Sequence, residues 1–365
     1  MRKSFEQSRS VWMDTAEVPL EPALPERVSA DVCIVGAGIA GMSTAYLLAL
    51  EGKSVVVLDD GPIGGGMTGR TTAHLVNALD DRYFELERLH GEEGARLAAE
   101  SHTAAINAIE AIVNREAIKC EFERLDGYLF VPPHDSRKIL DDELEAVHKA
   151  GLTDIEKVER VPWGSYDTGP ALRFPRQGQL HPLKYLTGLA KAIKEKGGRI
   201  YTQSHATEIE GGKQARVETT GGGVVTAGAV VVATNTPVND LMGIHTKQAA
   251  YQTYVIGARI PLGSVARALY WDTPDPYHYL RVETVGKGAN AYDMLIVGGE
   301  DHKTGQQDDA NKRFAALERW TRHRFSMIEG IEYRWSGEVM EPVDGLAFIG
   351  RNPLDAKNVF IATGD

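Results

Sequence analysis

Cysteine is nearly missing from this chain: Cys33 and Cys120 are the two among 365 residues, far apart and outside any Cys-x-x-Cys pattern. That excludes a disulfide framework and fits a reducing compartment, so the expected location is the cytoplasm. Positive charge is short as well. With 40 Lys and Arg against 51 Asp and Glu, the formal net charge is -11, which argues against nucleic acid because phosphate binding needs clustered cations. No apolar run is long enough to span a bilayer, and the opening MRKSFEQSRSVWMD has no apolar stretch behind its basic residues, so neither a membrane span nor a secretory leader is expected. The histidines include no His-Glu-x-x-His and no pair at metal-ligand spacing, so no metal is expected. With no low-complexity tract or tandem repeat, the chain reads as an ordinary folded protein of about two domains.

Glycine is abundant, and its placement carries the signal. DVCIVG, from Asp31 to Gly36, is a continuous apolar run of the kind buried in parallel sheets. The stretch IAGMSTAYLLALEG then reads as a helix closed by Gly52, and SVVVLDD, Ser54 to Asp60, as a second buried strand. Together they form one βαβ crossover. Ahead of it, Pro19, Pro22 and Pro25 predict an irregular leader laid over the surface. Behind it, GPIGGGMTG (61–69) is too rich in glycine for an element interior. A helix is expected from Glu93 to Ile118 with an apolar stripe of Leu97, Ile106, Ile109, Ile112 and Val113. A hairpin turning near Asp126-Gly127 follows, and a second helix begins at Pro182. ARVETT, GVVTA and AVVVAT read as three short strands, 247–297 as β-rich, and Asp308 to Arg324 as helical.

GAGIAG places Gly36, Gly38 and Gly41 between a strand and a helix. The first glycine permits the turn, the second lets backbone approach a pyrophosphate, and the third lets helix and strand pack, while free N–H groups at the helix start receive negative charge. Asp59, eighteen residues past Gly41 at the end of the second strand, suits a ribose hydroxyl pair and disfavours a 2′-phosphate. The turn itself leaves NAD and FAD open.

Further motifs carry a resemblance. The segments VCIVGAGIAGMSTAYLLALEGKSVVVLD, GGGMTGRTTAHL, QLHPLKYLTGLAKAIKEKGG, VVVATN, DPYHYLR, LIVGGEDHKTG and EPVDGLAFIGR span the chain. In them the sequence resembles the D-amino-acid oxidase/glycine oxidase superfamily of FAD-dependent amine oxidoreductases, and most closely the branch similar to gamma-glutamylputrescine oxidoreductase, often fused to a Rieske iron–sulfur domain. The resemblance implies an α/β fold: an FAD-binding Rossmann-like domain of the glutathione-reductase type with a second, β-rich substrate domain. After a leader over 1–28, the nucleotide domain would take 29–118, 169–240 and 329–365, and the substrate domain 119–168 and 241–328. It implies FAD as cofactor, with Gly36, Ala37, Gly38, Ile39, Ala40 and Gly41 at the pyrophosphate and Asp59 and Asp60 at the ribose. Thr68, Gly69, Arg70, Thr71, Thr72, Ala73 and His74 would run along the pyrophosphate, ribityl chain and flavin. Thr207 and Glu208 would meet the adenine, Ala233, Thr234 and Asn235 would lie beneath the cofactor, and Asp344, Gly345 and Gly350 would lead to the flavin edge. In the family the final strand, here NVFIATGD, continues into a glycine-rich turn and a helix, so a chain shortened at its C-terminus is implied.

The implied reaction is oxidation of the C–N bond of an amine or amino acid by hydride transfer, with the imine then hydrolysed. The acceptor would be dioxygen or a Rieske-type centre. No lysine lies between Met294 and Gly299, where oxidase relatives place one over the flavin, and no Cys-x-His pair is present for a cluster of the chain's own. Alternation in DPYHYLR sets Tyr277, Tyr279 and Arg281 on one face and His278 on the other. Tyr279, Arg281 and His278 are the candidate catalytic residues, with Arg281 placed to hold a substrate carboxylate or, equally, to serve the structure. His74 is read as backbone support, with a covalent flavin tether as the alternative. Asp301 and His302 are read as loop hydrogen-bonding residues, and Arg70 as a brace of the glycine-rich loop. The alternatives to amine oxidation are an NAD-dependent dehydrogenase and a non-catalytic or electron-transfer FAD module.

Overall fold

The computed structural model describes residues 8–132, 135–164, 166–236, 238 and 243–364. Among the described residues there are six α-helices: α1 (Val11–Thr15), α2 (Ile39–Leu50), α3 (Tyr83–Arg115), α4 (Lys138–Lys149), α5 (Pro182–Glu195) and α6 (Ala310–Arg324). The first of two sheets contains β1 (Arg27–Val35), β2 (Val55–Leu58), β7 (Arg199–Tyr201), β8 (Ala206–Glu210), β9 (Ala215–Thr219), β10 (Val224–Val232), β16 (Phe348–Arg351) and β17 (Val359–Thr363). The second contains β3 (His74–Leu75), β4 (Glu123–Phe130), β5 (Glu156–Val158), β6 (Ala171–Gln179), β11 (Gln248–Ile260), β12 (Leu269–Asp272), β13 (His278–Val285), β14 (Tyr292–Lys303) and β15 (Gly330–Pro342).

In the first sheet the order is β16-β17-β10-β1-β2-β7, with β9 and then β8 branching from β10. β1 runs parallel to both β2 and β10, so its apolar run is covered on both faces. Ile34, Val55 and Val57 point to one side and pack against Met42, Ala45 and Tyr46 of α2 and Leu186 and Leu189 of α5. Cys33, Val35, Val56 and Leu58 point to the other, against Val217, Val225 and Val230. The second sheet has the order β15-β11-β14-β13-β12-β4-β6-β3. One of its faces holds Ile256, Leu280, Val282, Leu295 and Val297 under Leu317 of α6, while α3 and α4 pack against Leu129, Leu172 and Phe174 farther along. Among the described residues, no helix is long and apolar enough to cross a membrane.

Several expectations change. The leader is not a surface strap: Val11 and Trp12 are buried in the main core, because α1 turns two apolar side chains inward. The expected hairpin at Asp126-Gly127 is one continuous strand, β4, bulged between Leu125 and Gly127. The glycine is required there by packing, since a Cβ would lie 2.6 Å from the Trp271 ring. The helix expected from Glu93 starts earlier, at Tyr83, and bends at Gly91, whose φ of 72 lies outside helical values; Leu97 of the expected stripe is exposed. GVVTA and AVVVAT join into the single strand β10. Strand pairing also puts 171–179 and 330–342 in the second sheet, whereas the grouping expected from sequence had them with the nucleotide segments.

Candidate functional site

The βαβ turn is built on backbone contacts that glycine alone permits. Gly36 has φ +112, and a Cβ on it would stand 2.3 Å from the Ala233 carbonyl oxygen. A Cβ on Gly41 would stand 1.9 Å from the Gly36 carbonyl oxygen. Gly38 differs, since its Cβ would meet nothing closer than Thr68 Oγ1 at 3.2 Å. Its glycine keeps the space before α2 open rather than relieving a clash. Gly38 is the N-cap and lends no side chain, so the helix start is served from elsewhere: the Ile39 N–H donates to Thr68 Oγ1 at 3.0 Å. The positive end of the α2 dipole, at Ile39, Ala40 and Gly41, therefore meets the Thr68 hydroxyl directly, and a helix start of this kind favours negative charge.

Asp59 stands at the end of β2 and accepts from the Ala37 N–H (2.6 Å) and the Gly61 N–H (2.8 Å). Burial, the main cause, pushes its carboxyl up to about 6, with Asp60 adding to the shift and the two N–H bonds opposing it. Asp60 is exposed and faces His205, whose Nδ1 is 3.4 Å from its Oδ2. His205 was not a sequence candidate. It enters because the Ser204 N–H donates to the Asp59 carbonyl (2.8 Å), folding the segment after β7 back over the end of β2. Thr207 and Glu208 lie farther along, exposed on β8, where Thr207 Oγ1 donates to the Glu218 carbonyl.

From Thr68 the chain runs through Gly69, Arg70, Thr71, Thr72 and Ala73 to His74, crossing from the first sheet to the second. The Arg70 guanidinium donates to the Ser8 and Ser336 carbonyls. Thr71 Oγ1 accepts from the Ala73 N–H, and Ala73 sits at φ 59. His74 Nδ1 lies 3.0 Å from Thr72 Oγ1, and Nε2 lies 3.3 Å from the Leu280 carbonyl. Burial first, and the Arg281 charge second, push its imidazole down to about 3, so the ring is neutral with both nitrogens engaged.

On β13 the candidates separate. Arg281 is completely buried, and its Nη1 donates to the carbonyls of Thr72 (3.2 Å), Ala73 (3.1 Å) and Leu180 (3.0 Å). Its Nη2 is paired with Glu283, two residues on and hence on the same strand face. Of the two readings of Arg281, the grip on a substrate carboxylate gives way to the structural one, because the chain itself occupies these donors. His278 is corrected too. It faces α6, with its ring stacked on Trp320 at 4.3 Å and its Nδ1 3.1 Å from Asp272 Oδ2, on the side away from Tyr279. Tyr279 stands beside the loop, its ring 5.7 Å from that of His74 and its hydroxyl 2.8 Å from Thr253 Oγ1.

Asp301 and His302 are strand residues of β14, not loop residues. His302 stacks on Tyr254 at 5.7 Å. Burial, the leading cause, and nearby Asp80 and Glu300 push the Asp301 carboxyl up to about 7, against a hydrogen bond from Thr253 and the His278 charge. Thr253 thus meets the Tyr279 hydroxyl and opposes the rise of the Asp301 carboxyl. Its hydroxyl was missed because it is one of many threonines in the sequence, and only the β11–β14–β13 pairing brings it there.

Ala233, Thr234 and Asn235 follow β10. The Ala233 N–H donates to the Val35 carbonyl (2.8 Å), and the Asn235 carbonyl accepts from Thr363 Oγ1 of β17, so these residues close the floor beside Gly36. Asp344 and Gly345 lie against other elements: the Asp344 carbonyl meets His90 Nε2 at 2.7 Å, and Gly345, at φ +74, abuts Asp81. Gly350 sits in the edge strand β16. Among the described residues, no group of three or more His, Cys, Asp or Glu is placed to hold a metal.

A family model described as FAD dependent oxidoreductase matches residues 31–365. YhfW of Bacillus subtilis (strain 168), named for a Rieske 2Fe-2S iron-sulfur protein, is 31% identical over 361 residues, spanning 98% of this chain and 69% of that protein. Gamma-glutamylputrescine oxidoreductase of Escherichia coli (strain K12) is 30% identical over 357 residues, covering 93% of this chain and 80% of that one. In fold, the chain superposes on glycine oxidase from Geobacillus kaustophilus with a TM-score of 0.72 at 19% identity, over 92% of this chain and 89% of that one.

Proposed function

Because this chain belongs to the family of FAD-dependent oxidoreductases, we propose that it oxidises the C–N bond of an amine or amino acid on the Tyr279 face of the second sheet. The bound flavin supplies the acceptance of a hydride equivalent, and water hydrolyses the resulting imine. The residues present fit FAD. Gly38 puts no side chain before the α2 N-terminus, Asp59 stands at the end of β2 where a ribose would be met, and Thr68 presents its hydroxyl to the helix start. NAD gives way to FAD on the family match.

One observation carries the substrate reading: contacts run without a break from the nucleotide turn to a protonatable group. Thr68 meets Ile39, the loop reaches His74, His74 meets Tyr279, and Tyr279 meets Thr253, which influences the Asp301 carboxyl. An amine gives up hydride only when neutral, and a carboxyl near 7 accepts the ammonium proton at physiological pH. With Arg281 neutralised by Glu283 and with Asp80 close by, this face favours a cationic amine over a second carboxylate. Anaerobic mixing with amines and amino acids should bleach the yellow flavin fastest with cationic amines. In the wild type kcat/KM should rise with pH through about 7 as Asp301 loses its proton. Asp301→Asn should remove that limb and slow the reaction roughly a hundredfold. An unchanged profile would reject Asp301 as the base, and no bleaching by any amine would reject the reaction.

The acceptor we propose is dioxygen or a Rieske-type centre. The strand Met294–Gly299 carries no lysine, which favours the second. A cytoplasmic location belongs to the same reading and is supported by two buried, free cysteines.

A further inference from the structure

The loop from Gly69 to Ala73 is held in an unusual way: each of its five successive carbonyls accepts a hydrogen bond from a side chain. Arg281 takes those of Thr72 and Ala73, and Trp335 Nε1 takes that of Arg70 at 2.8 Å. The other two donors come from the N-terminal segment. Ser10 Oγ donates to the Gly69 carbonyl at 2.5 Å, and Trp12 Nε1 donates to the Thr71 carbonyl at 2.6 Å. In return the Arg70 guanidinium donates to the carbonyl and hydroxyl of Ser8. Ser10 and Trp12 are both completely buried. The Trp12 ring lies edge-on to His181, with centroids 4.9 Å apart, and the Arg281 guanidinium stands over it at 5.2 Å. Thr15 Oγ1 adds a contact with His181 Nε2 at 3.0 Å. All of these N-terminal residues precede residue 31, where the family match begins.

We infer that residues 8–15 are a brace that sets the backbone of the 69–73 loop for FAD, with Ser10 and Trp12 as positioning residues for the cofactor. The inference rests on the reading that this loop lies along FAD. Packing alone would explain a buried tryptophan ring, yet it does not require two side-chain donors aimed at alternate carbonyls of one loop. A carbonyl buried without a partner is costly. If its donor is removed, the loop relaxes toward another partner while FAD is absent, and FAD must draw it back. The cost then falls on FAD binding rather than on the fold.

The test uses the full chain with substitutions that remove the donors while leaving a methyl or an aromatic ring in place: Ser10→Ala, Trp12→Phe, and both together. FAD dissociation constants, the visible circular dichroism of bound flavin, and melting of the FAD-free protein are read side by side. Each single variant should weaken FAD about tenfold and the double variant more, with an altered flavin dichroism band and a much smaller change in FAD-free melting. Ser10→Thr, which retains the hydroxyl, should restore affinity. Dissociation constants within about twofold of wild type and an unchanged dichroism band would overturn the inference. So would a loss of FAD-free melting as large as the loss of affinity, because the segment would then be packing only. If wild type itself binds no FAD while Asp59→Asn and wild type behave alike, the underlying site reading fails, and the brace falls with it for that separate reason.

Discussion

Arg281→Ala is expected to lower folding stability by about 3–5 kcal/mol, among the largest effects of any single substitution in this chain. The change strands Glu283, which is 6% exposed, as a carboxylate without its counter-charge, and it frees the carbonyls of Thr72, Ala73 and Leu180. Burial already raises the Glu283 carboxyl, and Arg281 is the principal charge opposing that shift. In the variant the folded state should therefore bind a proton at Glu283 more tightly than the unfolded state does. The sign follows: the deficit is smallest at acid pH and grows as pH rises through the shifted carboxyl. Replacing both partners, Arg281→Leu with Glu283→Leu, should cost less than the single change, because no charge is left unpaired. Urea unfolding across pH measures all three. A loss under about 1 kcal/mol for Arg281→Ala, the range of an exposed pair, would mean that water reaches the pair and that Arg281 is open to a substrate after all.

The second large effect separates two glycines that look alike in GAGIAG. Gly41→Ala should abolish FAD retention and destabilise the fold itself, by about 1–3 kcal/mol or more, because the new methyl would lie 1.9 Å from a backbone carbonyl that cannot swing away. Gly38→Ala should leave the FAD-free protein nearly as stable as wild type, since its methyl approaches one hydroxyl at 3.2 Å. The same methyl would fill the space before the α2 N-terminus, so FAD affinity should still collapse. Titration of the purified FAD-free variants with FAD, together with their melting curves, tests the contrast. If Gly38→Ala bound FAD as wild type does, the diphosphate would not lie at that helix start.

How far the sequence reached depends on whether the chemistry was local. The βαβ unit was legible because its determinants are adjacent: an apolar run buried on both faces, three glycines spaced through the turn between strand and helix, and an acid at the next strand end. The place of Asp59 at the end of β2 was legible because its distance along the chain from Gly41 is fixed by one helix and one strand. Alternation assigned Arg281 and His278 to opposite faces, but it left the two roles of Arg281 undecided and gave His278 a role its surroundings do not support. Alternation says which way a side chain points, and it is silent on what waits there. Glu283, three loop carbonyls and Trp12 waited for Arg281; Asp272 and Trp320 waited for His278. The Asp-Gly pair in β4 misled for a related reason: glycine was needed for the Trp271 ring, a neighbour more than a hundred residues away in the chain.

By itself, the sequence determined the strand, glycine turn and helix of the βαβ unit and the acid that follows it, because apolar periodicity and turn chemistry act over a few residues. The tertiary structure alone decided which polar groups remain free for a ligand. That outcome depends on pairing between strands far apart in the chain, and burial drives most donors and carboxylates toward a partner wherever the fold brings one.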